Sequence, residues 1–191
     1  MKRLIVGLAA FLLALSPSGQ SFSSPQKNEP PRFQDYPAEV WAGKANLLDI
    51  RGHALARTYR TRLREALREE GINFAGHYTF TSIGCGASCS INAIVDARTG
   101  KAYFPNALSA WTSVVGDFDK EDLYEEQTRA ESRLLRILGR PNIGRMRGER
   151  YGPSGIYYYE WTNDHLRLIR FVPADSYPRA DPLRIKPRRN R

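Results

Sequence analysis

The sequence predicts an α+β domain: one twisted antiparallel β-sheet of meander type with an N-terminal amphipathic helix packed on it. Three features predict it. An apolar stripe at helical spacing precedes Gly71, aromatic and β-branched runs follow from Asn73 onward, and a hairpin signal lies within residues 155–172. A helix followed by successive strands is the order of a sheet with its helix on one face, not of alternating strand and helix units.

Taken in order, the chain of 191 residues opens with Lys2 and Arg3 ahead of an apolar run over 4–15, which meets Ser16, Pro17 and Ser18. That charged, then apolar, then small-residue order is the pattern of a cleavable secretory signal peptide. The run is shorter than the about 20 apolar residues needed to cross a bilayer, so no permanent membrane span is expected. Residues 1–23 are assigned to the signal peptide, with cleavage positions at Ser16 and Ser18 or at Ser21 and Ser23. A flexible linker rich in Ser, Pro and charge is expected over 24–37, a single domain over 38–175, and a basic, proline-containing tail over 176–191. Roughly 170 residues remain after cleavage, enough for one core but not two.

Within the domain, Leu55, Tyr59, Leu63, Ala66 and Leu67 recur every three or four residues with arginines between them, which predicts one helix over 52–70. Gly71 suits the left-handed position that ends a helix. Strands are expected over 73–83, 91–95 and 101–104, the last two joined by the turn residues Ala97, Arg98, Thr99 and Gly100. An acidic patch of Asp117, Asp119, Glu121, Asp122, Glu125 and Glu126 reads as an exposed helix start capped by Asp119. Its Asp122 stands where a calcium-binding EF-hand loop needs glycine. Residues 133–138 form a strand or the end of a short helix. The clearest hairpin joins 155–161 to 165–172 through Asn163 and Asp164. Tyr157, Tyr159 and Trp161 share one face of its first strand, as a core layer or as a carbohydrate or protein platform, core packing being the commoner use.

Charge is unevenly distributed. Lys and Arg number 29 against 20 Asp and Glu, a net +9, and cleavage of the leader removes Lys2 and Arg3. The tail carries Arg179, Arg184, Lys186, Arg188, Arg189 and Arg191 against Asp181 alone, with Pro178, Pro182 and Pro187 between them. Such a segment buries too little apolar surface to offset chain entropy and reads as a mobile arm. Nucleic acid is the habitual partner of a basic arm, but an exported chain rarely meets it. No nucleic acid is therefore expected, and the tail reads either as a contact for an anionic envelope surface or as a solubilising segment with no specific partner.

The chemistry concentrates between Asn73 and Cys89. Both cysteines of the chain, Cys85 and Cys89, lie four positions apart in the run Gly84-Cys85-Gly86-Ala87-Ser88-Cys89. In an oxidising compartment two such cysteines pair, and Gly86 gives the backbone freedom to bring them within reach. The loop formed by Gly84, Gly86, Ala87 and Ser88, together with His77, is the candidate binding element. Three alternatives stand beside it: a cysteine nucleophile activated by His77, a copper or zinc site built from Cys85, Cys89 and His77 with His53 or His165 as fourth ligand, and thiol–disulfide exchange. Oxidation opposes the first, unusual spacing the second, and the missing Cys-x-x-Cys pattern the third.

The run Asn73-Phe74-Ala75-Gly76-His77-Tyr78, the Gly84-Cys85-Gly86 loop with Cys89, and Asp96 followed by Thr99, Gly100 and Lys101 resemble a group of uncharacterised exported bacterial proteins. The similarity takes in Ser132, Leu134, Leu135 and the later hairpin. It implies export and a shared fold, and it supplies no catalytic residue. The expected function is a periplasmic or secreted, non-catalytic binding or inhibitor-like module that presents a disulfide-shaped loop to an envelope macromolecule, with no cofactor and no metal. The alternatives are an envelope enzyme acting on cell-wall or surface polymer through His77, and a metal or redox site at Cys85, Cys89 and His77.

Overall fold

The computed structural model describes residues 29–86, 89–112, 127–141 and 151–174. The leader, Ala87 and Ser88, the acidic patch from Asp117 to Glu126 and the basic tail lie outside the described residues. Two helices, α1 (Ala54–Thr58) and α2 (Arg60–Glu69), precede seven strands: β1 (Tyr78–Gly86), β2 (Cys89–Asp96), β3 (Ala102–Tyr103), β4 (Trp111–Thr112), β5 (Leu134–Pro141), β6 (Gly155–Thr162) and β7 (His165–Pro173). All pairings are antiparallel. The strand order is β1-β2-β4-β5-β6-β7, with β3 beside β2, so the molecule is an antiparallel sheet with helices, α+β in class.

The helical stripe is carried by two helices instead of one. Tyr59, at φ −100° and ψ 21°, leaves helical geometry between them. The break is bridged, because the Tyr59 N–H donates to the Leu55 carbonyl at 2.9 Å and the Leu63 N–H to the Tyr59 carbonyl at 3.0 Å. Leu63 and Ala66 are fully buried and join Ile83, Ala93, Val95 and Ala102 in one apolar cluster. Gly71 follows α2 with φ +61°, the left-handed conformation that glycine adopts without a Cβ penalty.

Alternation along β1 and β2 assigns their faces. Ile83, Ala93 and Val95 turn towards α2, while Tyr78, Phe80 and Ile94 turn the other way into a larger cluster with Leu135, Ile137, Tyr157, Tyr159 and Trp161. Three strands separate β1 from β6 in the sheet order. A flat sheet with strands about 4.8 Å apart would hold them about 19 Å apart. The rings of Tyr78 and Trp161 nevertheless meet edge to face at 5.4 Å. The sheet therefore curls over so that its two halves close on a shared aromatic core.

The curl passes through the short strand β4, which pairs only Trp111 and Thr112 with β5. The buried Trp111 indole donates to the Leu138 carbonyl at 2.8 Å, and Gly139, at φ +132°, allows the two backbones to approach. The expected flexible linker over 24–37 does not extend through Phe33. A 3₁₀ turn over Phe33–Asp35 seats Phe33 against Leu134, Ile156 and Tyr158 on the outer face of β5 and β6. Pro37 pairs with Ser132. One aromatic with a partner outweighs the polar composition around it.

Candidate functional site

The Asn73–Tyr78 run is a tight structural corner. Asn73 works as a side-chain substitute for a strand partner, accepting from the Phe80 N–H at 2.7 Å and donating to the Phe80 carbonyl at 3.0 Å. Phe74 is fully buried. Ala75 and Gly76 turn the chain through positive φ angles of 45° and 84°, and their N–H groups donate to the carbonyls of Ser132 and Ala130. The chain then enters β1 at Tyr78.

The Asp96–Lys101 turn is built in the same way. The Asp96 carboxylate accepts from the Arg98 N–H and from the Thr99 hydroxyl, each at 2.8 Å, the side-chain-to-backbone pattern of an Asx turn. Gly100 takes φ +79°, and its N–H donates to the Asp96 carbonyl at 2.8 Å.

These two corners meet at a residue from a third. Asn163 and Asp164 link β6 to β7 with φ angles of 49° and 61°. Two positive φ values make a type I′ turn, which Asn and Asp tolerate better than other non-glycine residues. The turn aims the Asp164 carboxylate inwards. One oxygen accepts from the Tyr78 hydroxyl at 2.9 Å and the other from the Tyr103 hydroxyl at 2.6 Å. The Lys101 ammonium stands 3.8 Å away and 4.5 Å above the Tyr103 ring.

Burial pushes the Asp164 pKa up, but the hydrogen bonds from Tyr103 and Tyr78 outweigh it and leave the carboxyl below its ordinary value. Burial, with the Asp164 charge adding to it, pushes the Tyr78 hydroxyl up to about 12 and raises that of Tyr103 as well. At neutral pH the cluster is thus a carboxylate held by two protonated phenols.

Beside this cluster opens a cleft of about 650 Å³ whose lining includes His53, Lys101, Tyr103, Phe104, Asp164 and His165. His53 caps α1, its Nδ1 accepting from the Leu55 N–H at 3.1 Å, and stacks on Phe104 at 4.8 Å. His165 is exposed at the rim.

The expected binding element lies elsewhere. Cys85 and Cys89 are bonded to each other, with Cα atoms 5.1 Å apart, and they close the β1–β2 hairpin. Gly84, Cys85 and Gly86 are exposed at its tip, while Ala87 and Ser88 lie outside the described residues. His77 directly precedes the opposite end of β1, eight residues from Cys85 and therefore about 25 Å away along an extended strand. The structure does not bring His77 and the cysteines into one ligand set or one recognition surface. Among the described residues no group of three or more His, Cys, Asp or Glu side chains is placed to hold a metal ion.

His77 packs against the Tyr78 ring at 4.2 Å, with Nε2 3.9 Å from the Asp96 carboxylate. Burial lowers its pKa more than Asp96 raises it, so the imidazole is neutral at neutral pH. Tyr157, Tyr159 and Trp161 are buried in the central cluster, as core and not as a platform. Sequence reasoning missed the cleft, since Tyr103, His53 and Phe104 carry no local signal for it. The nearest hint was the Asn163-Asp164 turn, where polar residues are expected on conformational grounds alone.

No protein-family model, curated protein or solved structure matches the chain.

Proposed function

We propose that the chain is exported, loses residues 1–23 outside the cytoplasm and acts there as a non-catalytic binding or inhibitor-like module that engages an envelope macromolecule through the tip of the β1–β2 hairpin. The observation that carries this reading is the change in burial along β1. Tyr78, Thr79, Phe80 and Thr81 are buried, whereas Gly84, Cys85 and Gly86 are exposed beyond the last core residue, Ile83. The Cys85–Cys89 bond closes that exposed end. A constrained loop loses less conformational entropy on binding than a free one, which favours affinity. The leader and the resemblance to exported bacterial proteins support the location, and a disulfide suits an oxidising compartment. The basic tail supplies contact with an anionic envelope surface.

Gly84 offers a clean test, because a Cβ there meets no atom within 4 Å and the backbone is not left-handed. Gly84→Arg places a bulky charge on the tip without disturbing the fold. The mature chain, residues 24–191, should recover a specific macromolecule from envelope extract, and Gly84→Arg should lower recovery about tenfold, equivalent to about 1.4 kcal/mol, at an unchanged melting temperature. Equal recovery by the two proteins would refute a role for the tip.

A further inference from the structure

We propose that the cleft beside the β6–β7 turn is a second binding site, independent of the hairpin tip, and that it takes a neutral saccharide. Its chemistry narrows the ligand in three steps. The first is charge. Among the described residues that line it, Lys101 and Asp164 are the only Lys, Arg, Asp or Glu side chains, and they stand 3.8 Å apart. Each offsets the other, so the cleft offers no unspent lysine or arginine to a phosphate, a sulfate or a carboxylate, as a nucleotide or an anionic glycan would need.

The second step is hydrogen bonding. Each Asp164 oxygen accepts one phenol hydrogen, and a carboxylate offers about four acceptor positions in all. The remaining ones belong to an anion whose orientation is already fixed by Tyr78 and Tyr103, so they accept from a ligand hydroxyl without reorganisation. Asn163 lines the same space, and a side-chain amide both donates and accepts, as vicinal sugar hydroxyls require.

The third step is the wall. Tyr103, Phe104 and Leu166 present carbon surface to the cleft, and an aromatic or apolar wall with a few fixed polar groups is the ordinary make-up of a small-ligand site. A pyranose ring, with C–H groups on its faces and hydroxyls around its edge, matches that arrangement. A purely apolar ligand would strip water from the remaining acceptor positions of Asp164 and offer no hydrogen bond in return.

The test titrates the mature chain with maltohexaose, cellohexaose and chitohexaose as neutral probes, and with polygalacturonate and heparin as anionic ones. Amide chemical shifts and the fluorescence of Trp161, whose indole lies 5.4 Å from the Tyr103 ring, are followed. At least one neutral probe should bind saturably and shift resonances of Lys101, Tyr103, Asp164 and His165. Asp164→Asn keeps a residue suited to the left-handed turn and removes the charge. It should weaken that binding about tenfold, the cost of one charge-assisted hydrogen bond, and the exposed His165→Ala should weaken it at an unchanged melting temperature. Gly84→Arg should leave saccharide binding unchanged, which separates this site from the hairpin tip. Absence of saturable binding by every neutral probe, tighter binding of an anionic probe, or binding indifferent to both cleft substitutions would overturn the proposal.

Discussion

His77 shows how burial and a neighbouring charge compete at one residue. Its pKa lies below the ordinary 6.5 because burial outweighs Asp96 and Asp164, with Arg98 acting in the same direction as burial. The folded chain therefore takes up the imidazole proton less readily than the unfolded one. Well above pH 6.5 both states are neutral at this site and stability is unaffected. As pH falls from 6.5 towards the lower folded value, the unfolded chain gains the proton first, and stability declines. His77→Gln should remove this slope, so that melting temperatures from about pH 7.5 to about pH 5.5 fall less in the variant than in the wild type. A variant as pH-sensitive as the wild type would refute the assignment. Asp164 shows the limit of reading residues from sequence. That it sits in a turn was legible from Asn163-Asp164 between two strand-like runs. Its role as acceptor was not, because its phenol partners lie 86 and 61 residues upstream and only the fold brings them together.

Elements differ in how clearly the sequence announces them. The β6–β7 hairpin is legible because its residues, turn chemistry and alternation agree locally. The helical stripe is equally plain, although nothing in its spacing marks the departure at Tyr59. Strand β4 has no such signal, being two residues long and held by the indole of Trp111 and the contour of Gly139. That contour gives a sharp expectation. Gly139 combines a positive φ with backbone of Thr112 and the Trp111 ring where a Cβ would stand. Gly139→Ala should therefore cost about 1–3 kcal/mol from backbone strain alone, read as a lower urea midpoint with an unchanged slope. It should also weaken hydrogen-exchange protection at Trp111 and Thr112 before that of the β1–β2 hairpin. A substitution within about 0.5 kcal/mol of neutral would show that β4 and β5 are not closely apposed.

At the level of the whole molecule, the class was legible from the order of helix and strands, but the closure of the sheet was not. Curling depends on which aromatic rings meet across the core, and ring contacts between Tyr78, Tyr103 and Trp161 are products of topology. The N-terminal segment carries the same lesson. Its composition reads as linker, yet Phe33 covers Leu134, Ile156 and Tyr158 on the outer sheet face and is 8% exposed. Phe33→Ala should cost about 3 kcal/mol, the lower end for removing a buried phenylalanine, and chemical denaturation would measure it. A loss below about 1 kcal/mol would show that the segment adds little to the fold.

The hairpin closed by Cys85 and Cys89 has one further consequence. Among the described residues from Gly84 to Ser90, none belongs to a buried cluster, and the closed ring is only five residues around, so it restrains the unfolded chain by about 2 kcal/mol at most. Gly84, Cys85 and Gly86 thus stand outside the packed core. Gly84 is a position whose side chain can change without renegotiating the architecture beneath it, whereas Gly86, at φ +137°, is held to glycine by its backbone.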